Sequence, residues 1–414
     1  MAIDRVESDS LANDVEKAVR EKPYKRYLEA ELGLRNHWYP ALFSHEVQEG
    51  KTKGETILGE RLYFKRVDGK VYCIEDRCAH RGSQFSLRPE SYTKNTITCW
   101  FHGFCYDVRN GKLVSVLSEP NSSVVNKISV RSYPVFEKHH LVFVFIGDMD
   151  PPPPIEEDLQ PNFWHPDFYV RPLAKNTIKC NWRMACENGF DQGHHYLHRQ
   201  WPWATRYGIQ PMGTSLRSKD EVQVVDKPGE PKALLVHGTL TSWVGEVEGV
   251  KVAAVGVDPD NPPKRDWEYG ENFGCYLPCG LDVPNFPGPG FHHMEWYVPI
   301  DEDHHHYIQI QYVFAKTEEQ RREFDTAVDE HLSRAVWTND PKADPLSAGP
   351  NPAGFTNNDA FGREGVHHAY ANENWWYREH LYKPDYSIIQ WRMLVHNHAR
   401  GIQKRGDFER MDED

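Results

Sequence analysis

Cys78-Ala-His80-Arg-Gly82 and Cys99-Trp-Phe-His102-Gly103 are the two short motifs that decide the fold. Each follows a β-like run and contains a glycine, so each is expected to form a tight loop after a strand. Two thiolates and two imidazoles can hold a [2Fe–2S] cluster, with the cysteines on one iron and the histidines on the other. Zinc is the alternative, because Cys₂His₂ also suits a tetrahedral ion. The one-residue spacing of Cys78 and His80 is awkward for a single ion, and the motifs therefore favour the cluster.

The composition excludes several classes of protein. The chain has 414 residues and a net charge of −13, so it lacks the basic footprint of a nucleic-acid-binding protein. No apolar run approaches the roughly 18 residues of a membrane helix, and the first residues lack the apolar core of a signal peptide. A cytoplasmic location is therefore expected, and the 8 cysteines are not expected to form a disulfide framework there.

Three regions follow from the pattern along the chain. Residues 1–35 have helical periodicity and are expected to form an N-terminal helical arm. Residues 36–150 contain short β-like runs, and the run Pro151–Pro154 then predicts a stiff connector and a domain boundary. Residues 151–414 mix strands and helices without regular βαβ alternation. The predicted fold class is therefore α+β, with a β-domain that holds the cluster and a larger domain that contains an antiparallel sheet and helices.

Individual elements can also be predicted. Strands are expected at 60–65, 70–74, 95–100, 141–146, 233–236 and 307–314. Asn110-Gly111 indicates a hairpin turn. Helices are expected at about 181–199, 317–337, 359–380 and 384–400. No GxGxxG or GxxxxGK[ST] motif is present, so no nucleotide is expected to bind to this chain.

A second metal site is predicted in Glu187-Asn-Gly-Phe-Asp191-Gln-Gly-His194-His195-Tyr-Leu-His198. On a helix, His194 and His198 would lie one turn apart and face the same way. Two histidines and one carboxylate on one face of Fe(II) leave positions open for O₂ and substrate. Asp191 is close enough in sequence to orient the imidazole of His194. Spacing leaves four candidates for the carboxylate ligand, namely Asp340, Asp344, Asp359 and Glu364.

These motifs together resemble a known family. The pattern Cys78-x-His80…Cys99-x₂-His102 resembles the Rieske motif of aromatic-ring-hydroxylating oxygenases. Gly354-Phe-Thr-Asn-Asn-Asp359 is similar to the segment that supplies the aspartate ligand in carbazole-dioxygenase-like enzymes, and this similarity selects Asp359. Phe104 and Cys105 depart from the Trp and Thr that usually follow the second Rieske histidine.

The resemblance implies an architecture and partners. It implies a Rieske β-domain joined to a helix-grip (START-like) catalytic domain, and a ring of three identical subunits. Electrons would come from a ferredoxin, which a separate NADH-dependent reductase would reduce. They would cross between subunits from His102, a cluster ligand, through Asp191. Asp191 would therefore be a catalytic residue. Positions lining the substrate pocket would be Gly189, Leu281, Val283, Phe286, Phe355 and Thr356.

The predicted function is that of a terminal oxygenase that uses O₂ to hydroxylate an aromatic compound, expected to be fused or multi-ring, in aromatic hydrocarbon catabolism. O-demethylation of a methoxylated aromatic is the alternative, because the same site can attack a ring or a methyl ether according to the pose of the substrate. An electron carrier without catalysis would need only the cluster domain. A zinc-binding structural protein would contain zinc and no iron or sulfide.

Overall fold

The computed structural model describes residues 2–191, 193–198, 212–214, 219–237, 239–242, 244–253, 260, 267–268, 273–284, 286, 290–331 and 352–404. The chain divides into two compact units. The small unit comprises Leu32–Ile155, Val298–Asp301 and Arg400–Asp414. The large unit comprises Met1–Glu31, Glu156–Tyr297 and Glu302–Ala399, so the N-terminal residues belong to it. In the part of the chain that is described, no helix is both long and apolar enough to cross a bilayer.

The small unit is built from short antiparallel strands. They are β1 (His37–Phe43), β2 (Thr52–Ile57), β3 (Glu60–Val67), β4 (Lys70–Glu75), β5 (Thr96–Thr98), β6 (Phe104–Asp107), β7 (Leu113–Val116), β8 (Ser132–Tyr133), β9 (Val135–Lys138) and β10 (Leu141–Ile146). They form sheets in the orders β1-β10-β9, β2-β3-β4-β8 and β5-β6-β7. Strand β10 is buried along its whole length, as its unbroken apolar run predicts. The strands at 60–65, 70–74, 95–100 and 141–146 are confirmed as elements.

The predicted hairpin turn at Asn110-Gly111 is also confirmed. Gly111 has a φ of 72°, and the turn lies between strands β6 and β7. A β-carbon at Gly111 would collide with the backbone oxygen of Val130. Glycine is therefore required here both by the left-handed conformation and by the space available.

The large unit contains a seven-stranded sheet in the order β11-β22-β21-β20-β19-β14-β13. Its strands are β11 (Phe168–Ile178), β13 (Val222–Val225), β14 (Ala233–Val236), β19 (Phe273–Tyr276), β20 (Gly280–Pro284), β21 (His292–Pro299) and β22 (His305–Phe314). Smaller sheets contain β12 (Met212–Thr214), β15 (Thr239–Ser242), β16 (Val244–Val247), β17 (Val250–Ala253) and β18 (Trp267–Glu268). The predicted strands at 233–236 and 307–314 are confirmed.

Helices pack against this sheet and against one another. They are α1 (Ala2–Glu21), α2 (Lys25–Glu29), α3 (Trp182–Phe190), α4 (Glu318–His331), α5 (Pro352–Asn372) and α6 (Tyr386–His398). Helix α3 packs on β19 and β20, α5 packs on α3, and α6 packs on β14 and α2. Helices combined with antiparallel sheets confirm the predicted α+β class.

Two helix predictions were wrong in their bounds. The helix expected at 181–199 ends at Phe190, and a separate 3₁₀ helix covers Gly193–His198. The carboxylate of Asp191 accepts the backbone N–H of Gly193, and such a local bond competes with helix continuation. The helix expected at 359–380 is Pro352–Asn372, because proline favours a first helical turn and Asn374 adopts a left-handed φ of 52° just beyond the end.

A buried ion cluster fixes α3 within the large unit. The guanidinium of Arg392 on α6 contacts both oxygens of Glu187 on α3, at 2.7 and 3.0 Å, and both oxygens of Glu379, at 2.5 and 3.0 Å. Burial alone raises the pKa of the Glu379 carboxyl, but the charge of Arg392 outweighs burial and lowers it. The hydroxyl of Tyr27 donates to Glu187 at 2.6 Å. Helices α2, α3 and α6 are thereby joined at Glu187, whose buried charge is balanced by Arg392 and hydrogen-bonded by Tyr27.

Candidate functional site

The two cysteine loops of the small unit have the same turn. The backbone oxygen of Cys78 accepts the N–H of Gly82 at 2.8 Å, and that of Cys99 accepts the N–H of Gly103 at 2.9 Å. Gly82 has a φ of 72° and Gly103 a φ of 71°. Each cysteine therefore opens a five-residue turn that a left-handed glycine closes, and the histidine lies within that turn. The glycine in each motif is explained by this geometry.

The four predicted cluster ligands lie close together, with the cysteines on the inner side and the histidines toward solvent. Cys78 and Cys99 are buried, whereas His80 is exposed and His102 is half-buried. The imidazole rings of His80 and His102 have centroids 4.7 Å apart. Burial raises the pKa of the Cys78 thiol, and the neighbouring Cys99 raises it further. A [2Fe–2S] cluster fits this set, with the thiolates on an inner iron and the imidazoles on an outer one.

Two aromatic residues of β6 contact the predicted cluster ligands; Phe104 was noted in the sequence as a departure from the usual residue, whereas Tyr106 was missed. The hydroxyl of Tyr106 lies 3.3 Å from the sulfur of Cys78 and accepts the N–H of Ala79 at 3.2 Å. The ring of Phe104 stacks flat on His80, with centroids 4.7 Å apart and planes 5° apart. Because both residues belong to β6, immediately after the second motif, their proximity to the cluster could have been inferred from the sequence.

The second predicted site begins where α3 ends. Asp191 caps the C-terminus of α3, and its backbone oxygen pairs with Nδ1 of His194. A carbonyl oxygen only accepts, so Nδ1 carries the proton and Nε2 has the lone pair that a metal ligand needs. The expected orienting group is thus the backbone of Asp191, whereas its carboxylate accepts from Gly193 at 2.6 Å. Burial raises the pKa of the Asp191 carboxyl, although the charge of His194 opposes the shift.

Of the two carboxylate candidates that the structure describes, Asp359 and Glu364, Asp359 lies next to His194. Its Oδ1 is 3.6 Å from His194 Nε2, and both side chains are largely buried. Two donors that each bind one ion at about 2.1 Å lie roughly 3.0–3.4 Å apart, so a small closure would place both on one metal. The carboxylate of Glu364 instead accepts from the backbone N–H of Lys179. Asp340, Asp344 and the side chains of His195 and His198 lie outside the described residues.

Four of the predicted pocket positions are described. A β-carbon at Gly189 would collide with the hydroxyl of Tyr297 and lie 3.1 Å from Leu281 Cδ2, so Gly189 and Leu281 are neighbours. Leu281 and Val283 alternate along β20, as residues on one face of a strand do. Phe286 packs edge-on against His293, with ring centroids 5.6 Å apart. The side chains of Phe355 and Thr356 lie outside the described residues.

The same face of the sheet carries polar residues that the sequence analysis missed. Leu281 pairs with Glu295 and Val283 pairs with His293 across β20 and β21, so these side chains share a face. The hydroxyls of Tyr297 and Tyr307 donate to Glu295, and Nε2 of His293 lies 3.0 Å from it. Burial alone raises the pKa of Glu295, but His293 and Arg363 outweigh burial and lower it. Alternation of His293, Glu295 and Tyr297 along β21 was the available sequence signal.

Comparisons with known proteins match the chain in two parts. The profile of the Rieske [2Fe–2S] domain matches residues 37–134, and the profile described as homotrimeric ring hydroxylase matches residues 145–403. The terminal oxygenase component of carbazole 1,9a-dioxygenase from Metapseudomonas resinovorans is 36% identical over 401 residues, which are 93% of this chain and 96% of that protein.

Solved structures extend the similarity to the fold. The terminal oxygenase of carbazole 1,9a-dioxygenase from Nocardioides aromaticivorans IC177 has a TM-score of 0.79 at 33% identity, covering 92% of this chain and 98% of that one. A reduced complex between oxygenase and ferredoxin of carbazole 1,9a-dioxygenase has a TM-score of 0.79 at 34% identity, covering 95% of this chain and 97% of that one.

The cluster loops and the Rieske match define an iron–sulfur protein of the Rieske class. The chain belongs to the homotrimeric ring hydroxylase family and is the terminal oxygenase of a multicomponent Rieske system. It is an oxidoreductase that incorporates O₂, and its cofactors are a [2Fe–2S] cluster and Fe(II). The predicted family, enzyme class and cofactors are confirmed. A carrier without catalysis and a zinc protein do not account for the match over residues 145–403.

Replacement of Tyr106 by Phe is expected to lower the reduction potential of the cluster. A hydroxyl that donates to a ligating sulfur stabilises the more electron-rich reduced state. A hydrogen bond worth about 0.5–1.5 kcal/mol corresponds to a shift of roughly 20–60 mV for one electron. A redox titration followed by EPR measures the shift. Tyr133→Phe is the matched control, because the hydroxyl of Tyr133 donates to Glu60. Equal potentials in Tyr106→Phe and the unmodified protein would contradict the assignment.

Proposed function

We propose that this oxygenase hydroxylates a fused, multi-ring aromatic compound of the carbazole kind at a mononuclear iron held by His194, His198 and Asp359. The observation that carries the proposal is the 3.6 Å approach of His194 Nε2 to Asp359 Oδ1. The relatives that are similar along nearly the whole chain are carbazole 1,9a-dioxygenases. Fe(II) in a site of two histidines and one carboxylate supplies O₂ activation and keeps positions open for O₂ and substrate.

Each protein group has a defined task in this proposal. The backbone of Asp191 holds the tautomer of His194, so that Nε2 faces Asp359. Gly189 lets Tyr297 and Leu281 pack directly against α3, because a β-carbon there would collide with the Tyr297 hydroxyl. Leu281, Val283 and Phe286 supply apolar surface, and Phe355 and Thr356 are proposed to line the same pocket. Both oxygens of the buried Glu295 already accept hydrogen bonds from Tyr297 and Tyr307, so Glu295 is proposed to order this wall of the pocket and not to bind the substrate.

The cluster ligands are proposed to be Cys78, His80, Cys99 and His102. Residues 36–150 would form the Rieske domain and residues 151–414 the catalytic domain, with residues 1–35 as the helical arm. The half-exposed His102 suits a contact with another subunit, and we place Asp191 of one subunit against His102 of the partner subunit in a homotrimer. The carboxylate of Asp191 suits this role because the orienting bond to His194 comes from the backbone.

The electron donor is proposed to be a ferredoxin served by an NADH-dependent reductase. A related oxygenase has been solved in complex with ferredoxin. This arrangement requires no nucleotide site in the present chain, in line with its missing dinucleotide motifs. A cytoplasmic location is proposed because the reductase would draw its NADH there.

Asp359→Ala is expected to remove the mononuclear iron and to reduce product formation to background, while the cluster keeps its absorption and EPR spectra. The carboxylate is one of three protein ligands, whereas the cluster is held by other residues. Iron and sulfide analysis together with single-turnover product assays measure both effects.

The matched control is Glu364→Ala on the same helix, because Glu364 bonds the backbone of Lys179. This variant should retain iron and turnover. Iron retained in Asp359→Ala, or lost equally in Glu364→Ala, would overturn the ligand assignment.

A product screen tests the substrate class. With NADH, a surrogate ferredoxin–reductase pair and isotopically labelled O₂, fused-ring aromatics are expected to yield labelled hydroxylated products. Methoxylated single-ring aromatics are the contrasting group, because their oxidation would release formaldehyde. Turnover confined to the methoxylated compounds would replace the proposed reaction by O-demethylation.

A further inference from the structure

Arg363 is a buried cation close to the proposed iron site that the preceding assignments do not use. It lies on α5 four residues after Asp359, so the two side chains leave the helix on the same face. Its side chain is only 2% exposed. A fully buried guanidinium needs compensating contacts from every side, and those contacts show which elements it connects.

The guanidinium connects α5 to strands β21 and β22 of the seven-stranded sheet. It lies over the rings of Tyr297 and Tyr307, with its Cζ atom 4.8 and 4.5 Å from their centroids. The two tyrosine rings are themselves stacked, 5.6 Å apart and within 14° of parallel. Tyr297 lies on β21 and Tyr307 on the neighbouring strand β22. A planar cation packed on two aligned rings is fixed in orientation, which a flexible ammonium would not be.

The same guanidinium connects α5 to α3. Nε of Arg363 donates to Oδ1 of Asn188 at 2.5 Å. Asn188 directly precedes Gly189, and α3 leads through Asp191 to His194. One side chain therefore links the helix that carries Asp359 to the segment that carries His194 and to the sheet beneath both.

The electrostatics of this contact favour a permanent charge. Burial alone lowers the pKa of Arg363, but Tyr307, Tyr297, Asp359 and Glu295 outweigh burial and raise it. Both tyrosine hydroxyls donate to the ionised Glu295, which makes the rings better partners for a cation. The guanidinium thus stays charged, and the negative charges of Asp359 and Glu295 favour that charge.

Helix α5 also approaches the histidine segment closely. A β-carbon at Gly362 would lie 3.3 Å from Leu197 Cδ2. The adjacent residue, Arg363, therefore lies where α5 packs against the 3₁₀ helix Gly193–His198. A small shift of α5 at this point would change the separation of Asp359 and His194 directly.

We infer that Arg363 is a positioning residue that sets the distance between the carboxylate of Asp359 and the imidazole of His194, and thereby the affinity of the site for its metal. The inference rests on the proposed ligand role of Asp359. Outer residues that hold metal ligands in place typically change metal affinity by about 10- to 100-fold when they are replaced.

The test is anaerobic equilibrium dialysis of Fe(II) into protein that has lost its mononuclear iron and retains its cluster. Arg363→Met keeps much of the side-chain volume but removes the planar guanidinium group and its charge. It should weaken Fe(II) binding by about 10- to 100-fold. Arg363→Lys restores the charge without the planar fork, so it should not restore the affinity. Asn188→Ala removes only the bond to Nε and should weaken binding by a smaller factor.

Two further variants separate the possible failures. Arg171→Met is the control. Arg171 is a partly exposed arginine on β11 of the same sheet, and it pairs with Asp325 and Asp329 of helix α4. Its replacement should leave Fe(II) affinity unchanged. Asp359→Ala should bind Fe(II) at least as weakly as Arg363→Met. If Asp359→Ala binds Fe(II) normally, the ligand assignment fails. If Asp359→Ala binds weakly but Arg363→Met and Asn188→Ala bind normally, the positioning inference alone fails.

A spectroscopic measurement excludes a merely structural effect. The EPR spectrum of the nitric oxide complex of Fe(II) depends on the ligand geometry and is recorded at saturating metal. The spectrum of Arg363→Met should differ from that of the unmodified protein, whereas that of Arg171→Met should not. An unchanged spectrum in Arg363→Met would contradict the inference, even if the variant were less stable to heat.

Discussion

The buried contact of Arg392 with Glu187 and Glu379 is the constraint on which the catalytic unit depends. Both carboxylates are held by one guanidinium that is 1% exposed, so the removal of any partner would leave an uncompensated charge in the interior. Glu187 belongs to α3, which continues through Asn188 and Gly189 to the cap at Asp191. Helix α3, which leads into the proposed iron site, is therefore held in place by Arg392 and Glu379, which take no part in the proposed chemistry.

The two metal sites are built in different ways. The proposed cluster site is local, because two five-residue turns supply its four proposed ligands and the adjoining strand β6 supplies the groups around them. The proposed iron site is not local, because His194 and Asp359 come from segments far apart in the sequence that meet only in the folded unit. In this proposal its precision comes from packing between α3, α5 and the sheet, where Arg363, Tyr297 and Tyr307 lie.

How far the sequence could predict the protein follows from the same difference. Strand periodicity and the Asn110-Gly111 turn depend on local preferences, and these predictions are confirmed. Spacing and chemistry predicted the cluster itself, which the Rieske match confirms, and its four ligands remain a prediction. The helix at 181–199 was predicted too long, because the bond between Asp191 and Gly193 is a side-chain effect that periodicity does not register. Asp359 was selected only through resemblance, and Glu295 was missed because its role depends on strand register.

The central claim is that the cluster of one subunit and the iron of the next work as a single active unit. It is tested most directly by co-expressing two inactive chains with different affinity tags, one with Cys78→Ala and one with Asp359→Ala. Tandem purification then isolates oligomers that contain both chains. The account predicts that these mixed oligomers regain turnover, because an intact cluster meets an intact iron across a subunit boundary. Turnover no higher than that of either parent, in oligomers shown to contain both chains, would contradict it.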